Sequence, residues 1–121
     1  MSQINTVLGK LDKLEGVKGT ALLTTDGMMV ASTLGEEFLD DVVAGLSSFL
    51  ISTTRRSLAD ASLSDRFDRF VLNSTHGKVI IIDLGESFLV VITNQFSDLR
   101  PCLEGVQRAA ADLRRIAKIH I

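Results

Sequence analysis

Few side chains in this sequence have a type and spacing suited to catalysis. Cys102 is the only cysteine among the 121 residues, and it falls near the start of a predicted last helix, where the helix dipole favours a thiolate nucleophile. A single small residue of this kind more often fills a core position. His76 and His120 are isolated, without the spacing to a cysteine or carboxylate that a metal site requires. We therefore expect no catalytic residue and no bound metal.

Glycines and paired acids suggest two other kinds of chemistry, a phosphate-binding loop and acid–base catalysis. Gly16 and Gly19 are too sparse for such a loop, and the Gly-Lys-Ser/Thr ending is missing. The acidic pairs at residues 36–37 and 40–41 have the groups for proton transfer. A solvated loop and the first turn of a helix explain them better, because carboxylates stabilise the N-terminal end of a helix. We expect no nucleotide and no other cofactor.

Small residues form a stripe in a predicted second helix. Ala44, Ser48 and Ser52 recur every four residues, so another backbone can approach closely, and a second copy of the same helix is the simplest partner. The alternative is that a strand or helix of the same chain covers the stripe. Arg55 and Arg56 follow one turn later, where they either contact an acidic partner or a phosphate, or are ordinary solvated arginines.

The composition is that of a folded domain and excludes several classes of protein. Hydrophobic residues make up 45% and charged residues 23%, and no apolar run approaches the roughly 18 residues of a membrane-spanning helix. Residues 1–98 carry 8 basic and 13 acidic side chains, whereas residues 99–121 carry 5 and 2. With no tryptophan or tyrosine and only 6 phenylalanines, the stacking surfaces of single-strand nucleic-acid binders are sparse. We expect neither a membrane span nor nucleic-acid binding.

The chain shows no linker, repeat or low-complexity tract, so residues 1–121 are predicted to form a single domain. One cysteine cannot form an internal disulfide, and the N-terminus lacks the basic start and apolar stretch of a secretion signal. The cytoplasm is therefore the expected location.

Apolar spacing predicts three helices. The first is capped by Ser2, ends at Gly16, and has an apolar stripe of Ile4, Val7, Leu8, Leu11 and Leu14. The second spans Asp40–Asp60, with the stripe Leu39, Val43, Leu46, Phe49 and Leu50. The third is capped by Ser97 or Asp98, with the inner stripe Leu99, Leu103, Val106, Ala110, Leu113 and Ala117.

Five strands complete the predicted fold. Asp26-Gly27 favours the tight turn of a hairpin. The strands are predicted at residues 19–25, 28–32, 65–75, 78–83 and 87–93. The last two are continuously apolar, so both of their faces must be covered. We therefore predict an α/β (α+β) fold of order α-β-β-α-β-β-β-α, in which a five-stranded antiparallel sheet carries helices on both faces.

Several segments together resemble one known family. They are Gly16-Val-Lys-Gly19, Asp26-Gly-Met-Met-Val30, Phe67-Asp-Arg-Phe-Val71, Gly77-Lys-Val-Ile-Ile81 and Phe88-Leu-Val-Val91. With the order of helices and strands, the pattern resembles the Roadblock domain of dynein light chains and of stand-alone bacterial proteins of the MglB type. The resemblance covers essentially the whole chain and implies the profilin-like Roadblock fold. Its motifs are hairpin and strand patterns without catalytic character.

The resemblance implies a homodimer in which the third strands, about residues 66–74, pair across a two-fold axis while the second helices lie side by side. This arrangement agrees with the small-residue stripe noted above. The candidate dimer or partner interface therefore comprises Ala44, Ser48, Ser52, Arg55, Arg56, Phe67, Phe70 and Leu72.

The resemblance also implies a function. Roadblock proteins are non-enzymatic scaffolds and regulators of small Ras-like GTPases, and the MglB type activates GTP hydrolysis without donating an arginine. Arg55 and Arg56 would then be interface residues at most. We expect a cytoplasmic homodimer that binds and regulates a small Ras-like GTPase. The alternatives are a structural adaptor in a motor, motility or signalling assembly, and a small enzyme or ligand sensor.

Overall fold

In the part of the chain that the structure describes, three helices and five strands follow one another in the predicted order. The computed structural model describes residues 3–96 and 98–120, with all of their side chains except those of Leu99 and residues 117–120. The predicted caps Ser2 and Ser97, and the predicted core side chains of Leu99 and Ala117, lie outside the described part. The elements are α1 (Gln3–Asp12), β1 (Val17–Thr24), β2 (Met29–Ser32), α2 (Asp40–Asp60), β3 (Arg69–Ser74), β4 (Gly77–Asp83), β5 (Ser87–Thr93) and α3 (Leu99–His120).

The strands form one antiparallel sheet in the order β2-β1-β5-β4-β3. Its first hairpin turns at Asp26 and Gly27, and Gly27 has a φ of +91°, which glycine adopts without strain. The Gly27 amide donates to the Thr24 carbonyl at 3.0 Å, and the Thr24 amide donates to the Met28 carbonyl at 2.9 Å. The predicted hairpin and the predicted fold class are both confirmed.

The central strands β4 and β5 are covered on both faces, as predicted. Because successive strand residues point to opposite sides, each strand contributes to two cores. On the α1/α3 side, the core contains Ile80, Ile82, Leu89 and Val91 together with the buried residues of α1 and α3. On the α2 side, Ile81, Phe88 and Val90 pack with Ile51 of α2. The continuous apolar runs therefore reflect two separate buried layers.

The first and last helices share the α1/α3 side. Their buried side chains include the predicted residues Val7, Leu8, Leu11, Val106, Ala110 and Leu113. Cys102, Ala109 and Ile116 are buried with them, and the predicted core residue Leu103 is half-buried. The turn that follows α1 lies close to α3, because a Cβ added at Gly105 would lie 2.6 Å from a methyl carbon of Leu14.

The second helix faces the sheet with a different row of residues from the predicted one. Val43, Ser47 and Ile51, four residues apart, are its buried side chains. Three members of the predicted stripe are instead exposed: Leu39, Leu46 and Phe49. The reason is steric, because small side chains let this helix lie close to the hairpin. A Cβ added at Gly27 would lie 2.1 Å from the Ser48 hydroxyl oxygen.

The two edge strands differ in length and regularity. β2 has four residues, and its pairing with β1 shifts register between Leu22 and Leu23. β3 has six residues, and all of them pair with β4 in unbroken register. Irregular short edges resist pairing with other chains, whereas regular edges accept it. The sheet therefore has one blunted edge and one regular edge.

Candidate interaction surface

Four large apolar side chains are exposed in a row that begins at the N-cap residue of α2 and continues along the helix. They are Leu39 at 67%, Val42 at 60%, Leu46 at 47% and Phe49 at 66% exposure. Their spacing of three, four and three residues places them along one side of the helix. We call these four residues the α2 ridge. A contiguous apolar row of this kind is typical of a surface that another protein covers.

Small residues lie beside the α2 ridge, but only part of the predicted stripe is exposed. Ala44 is half-buried against the α2-side core, and Ser48 is half-buried beside Gly27. Ser52 is exposed, and a Cβ added at Gly45 would meet nothing within 4 Å. The chain's own hairpin thus occupies the space in front of Ser48, which is the alternative that the sequence left open. The exposed small residues form a shallow strip next to the bulky ridge.

The two arginines at the end of α2 have different surroundings. The guanidinium carbon of Arg55 lies 5.8 Å from the centre of the Phe88 ring, a cation–π arrangement. Its Nε donates to the backbone carbonyl of Asp65 at 3.0 Å. Arg55 therefore holds the segment that precedes β3, whereas Arg56 is exposed.

The candidate residues of the third strand lie on the α2 side of the sheet. The Phe67 ring is 6.2 Å from that of Phe70 and 6.1 Å from that of Phe88, so Phe67 and Phe70 belong to an aromatic cluster within the chain. Leu72 pairs with Val79, whose side chain packs on the same core, and Leu72 is 38% exposed. The outer strand therefore adds exposed apolar surface on the side that carries the α2 ridge.

An ion pair that the sequence analysis missed fixes the start of β3. Arg66 donates to both carboxylate oxygens of Asp83, at 2.8 Å through Nη2 and at 3.1 Å through Nε. The hydrogen bond and the charge of Asp83 both raise the pKa of Arg66 above its ordinary value. The Gly85 amide donates to the same carboxylate at 2.7 Å, and Arg114 donates to the Asp83 carbonyl at 2.9 Å. The sequence did contain a signal for this ion pair, because Asp83 ends an apolar strand just before the turn at Gly85.

This network explains why β3 begins at Arg69 rather than at residue 65, where the alternating pattern places it. Residues 65–67 are held through the side-chain bonds of Arg55 and Arg66, and backbone contact with β4 begins at Asp68, whose carbonyl accepts from the Asp83 amide at 3.1 Å. The prediction of the start of the strand was therefore wrong by four residues.

The groups considered for catalysis do not converge. Cys102 is 4% exposed, and its burial raises the pKa of the thiol, which makes it a poor nucleophile at neutral pH. His76 is exposed in the turn between β3 and β4. Among residues 3–96 and 98–120, no three histidine, cysteine or acidic side chains form a group able to hold a metal ion. Within the same ranges, no helix is long and apolar enough to cross a membrane.

Known proteins resemble this chain in both sequence and fold. The model of the Roadblock/LC7 domain family matches residues 3–93. The uncharacterised protein MJ1340 of Methanocaldococcus jannaschii is 29% identical over 111 residues, which cover 92% of this chain and 96% of that protein. A Roadblock/LC7 domain from Streptomyces avermitilis superposes with a TM-score of 0.86 at 16% identity, over 97% of this chain and 99% of its own. For MglB of Myxococcus xanthus the TM-score is 0.87 at 19% identity, over 98% and 97%.

Proposed function

Because the chain belongs to the Roadblock/LC7 domain family, we propose that it is a cytoplasmic homodimeric interaction module that binds and regulates a small Ras-like GTPase. The observation that carries this proposal is the α2 ridge, a row of exposed apolar side chains on the same side of the sheet as the exposed Leu72. The chain itself acts as a regulator in this proposal, and the partner carries out the hydrolysis.

The unequal edges of the sheet support pairing through β3. Among the described residues, no strand neighbours the outer side of β3, and its six residues are regularly paired on the inner side. A second copy of β3 can therefore extend the sheet by ordinary antiparallel hydrogen bonds. The register shift in β2 disfavours the same kind of addition at the other edge.

The α2 ridge supports a second copy of α2 as the neighbouring element. Burying the exposed part of each ridge side chain contributes about 1 kcal/mol, so the eight side chains of two copies together favour association substantially. The first turn of the helix is acidic, with Asp40 and Asp41, and the exposed Arg56 lies about one turn before the C-terminal residue Asp60. In an antiparallel copy, the acidic first turn can lie near the turn that contains Arg56.

The surroundings of the arginines support regulation without a donated arginine. Arg55 is held by the Asp65 carbonyl and the Phe88 ring, so its guanidinium is not extended toward a partner. Arg56 is exposed and suited to an acidic contact at the rim of an interface. The finer proposal, by analogy with the MglB type, is that the dimer accelerates GTP hydrolysis by reshaping the site of the bound GTPase.

The test is a titration of the purified protein against the small Ras-like GTPase of its own organism, loaded with GDP or with a GTP analogue, with hydrolysis followed in parallel samples. We expect selective binding of the GTP form at one GTPase per dimer. The Leu46→Lys variant, altered in the α2 ridge, should lose both the dimer and the binding. Absence of binding in either nucleotide state would refute the proposal.

A structural adaptor in a motor, motility or signalling assembly is the alternative outcome of the same titration. An adaptor would bind its partner through the same apolar surface, with an affinity that does not depend on which nucleotide the GTPase carries. Equal affinity for the GDP and GTP forms, with an unchanged hydrolysis rate, would therefore indicate an adaptor.

A further inference from the structure

An open cleft of about 660 Å³ lies between the start of β3 and α3, on the α1/α3 side of the sheet. There α3 packs over β4 and β5, and β3 continues the sheet as the edge strand next to β4. The cleft is lined by Asp68, Arg69, Ile82, Gln107, Ala110 and Arg114. The α2 ridge is on the opposite side of the sheet, so the two surfaces are separate.

Two guanidinium groups line this cleft from different elements. Arg69 pairs with Ile82 across the strands, and paired residues point to the same face, so the Arg69 side chain lies on the α1/α3 side. Arg114 donates one Nη2–H to the Asp83 carbonyl at 2.9 Å, which anchors its side chain at the cleft wall. Most of the five N–H donors of a guanidinium remain available after one such bond.

The other lining groups favour an anion over a cation. Asp68 is the acidic residue of the lining and is outnumbered by the two arginines. The nearby carboxylate of Asp83 is already neutralised by the two-point bond from Arg66, so it does not compete for Arg69 or Arg114. Ile82 and Ala110 provide apolar surface, which strengthens charge interactions beside it by excluding water. Gln107 adds a neutral amide donor.

We propose that this cleft is an oxyanion-binding site in which Arg69 and Arg114 hold a carboxylate or phosphate group. Two planar guanidinium forks from separate elements match the geometry of such a group, because each can donate two parallel hydrogen bonds. The source of the anion is either an acidic side chain of a bound protein or a free phosphate compound. The proposal is independent of the proposed GTPase partner, since it involves no residue of the α2 ridge.

The test follows the Nε–H signals of the arginine side chains by NMR during titration with inorganic phosphate or with an N-acetylated tri-glutamate peptide, at constant ionic strength. We expect Arg69→Gln and Arg114→Gln each to weaken binding at least about tenfold, the effect of losing one charged hydrogen-bonding group. Arg108→Gln is the matched control, because Arg108 is exposed on the same helix but does not line the cleft. It should leave both affinities unchanged.

The two probes separate the two sources. Tighter binding of the peptide identifies acidic side chains of a protein as the ligand, and tighter binding of phosphate identifies a free phosphate compound. Arg114→Lys keeps a charge and a donor for the Asp83 carbonyl, so it tests the site even where Arg114→Gln perturbs the fold. Equal weakening by Arg69→Gln and Arg108→Gln, or no change of the arginine signals with either probe, would overturn the proposal.

Discussion

Arg66 and Asp83 form an ion pair with two points of contact, and this pair determines where the outer strand begins. Asp83 is buried at the end of β4, and Arg66 approaches it from the loop before β3. The loop is thereby drawn against the neighbouring strand, and the regular pairing of β3 starts three residues later. The position of the open edge of the sheet thus depends on one buried carboxylate.

Removing the charge of Asp83 should destabilise the attachment of the segment before β3 to β4. We expect Asp83→Asn to lower the urea midpoint of unfolding, because Arg66 loses its charged acceptor. Arg66 has a raised pKa in the folded chain, so its contribution persists through neutral and mildly alkaline pH and is lost only as pH rises through that folded pKa. Glu104→Gln, which removes an exposed carboxylate on α3, is the control, and an equal shift in both variants would contradict the assigned role.

The α2 ridge should control self-association. We expect Leu46→Lys to weaken the dimer at least about 100-fold, because a charged group would be buried at an apolar contact. The isolated chain should keep its stability, since Leu46 is already half exposed there. Sedimentation across a concentration series measures the effect. Phe96→Lys alters an exposed apolar residue beyond the end of β5, near Leu14 and Cys102 and away from the α2 ridge, and dissociation by this control would argue against the ridge.

We expect β3 to contribute to self-association independently of α2. We expect Leu72→Lys to weaken self-association by about tenfold or more, as the lysine replaces apolar surface beside the paired strands. Asn73→Lys is the matched change, because Asn73 is the next residue of the same strand and points to the opposite side. Concentration-dependent dissociation of the Leu72 variant alone supports pairing through β3. If both variants dissociate alike, charge on the strand rather than the α2 side is responsible.

Replacing Gly27 or Gly45 with alanine should change the free energy of unfolding in opposite directions. Gly27 combines a φ of +91° with close contact to the Ser48 hydroxyl, so Gly27→Ala should lower the free energy of unfolding by about 1–2 kcal/mol or more. Gly45 lies within α2 with open space around it, so Gly45→Ala should raise that free energy by about 0.5–1 kcal/mol. Urea unfolding in the Leu46→Lys background compares them without a contribution from self-association. Similar effects of both changes would contradict the packing described for the hairpin.

The buried thiol predicts a dependence of stability on alkaline pH. Burial raises the pKa of Cys102 in the folded chain, so above pH 8.5 or so the unfolded chain ionises first and stability falls as pH rises. The loss continues until the pH passes the folded pKa. We expect Cys102→Ala to remove this part of the alkaline slope in urea unfolding at pH 7 and pH 10. The same slope in both proteins would show that other groups cause it.

Local patterns were sufficient to predict most of the fold. The bounds of α2 and the hairpin turn follow from helix-favouring acids at residues 40–41 and from Asp26-Gly27, because both depend on nearby residues. The continuous runs of β4 and β5 likewise required cover on both faces. Features of this kind can be predicted from the local sequence without knowing which residues pack against them.

The orientation of α2 could not be predicted in the same way. This helix has apolar residues on more than one side, and Leu46 and Val43 both fit a helical stripe. The buried row is the one that packs on the sheet and the hairpin, and the contact of Ser48 with Gly27 joins residues about twenty positions apart. The interface residues therefore remain predictions, with Leu46 and Phe49 added to them by the structure.

The unequal edges of the sheet also limit the size of what the chain can build. A strand-forming protein with two usable edges can grow without end, as amyloid fibrils do. Here β2 is short and its pairing with β1 contains a register shift, so β3 is the regular edge strand of each copy. If copies associate through β3, as we propose, growth of the sheet ends once two such strands have paired. A single register shift at the opposite edge would then keep the assembly finite.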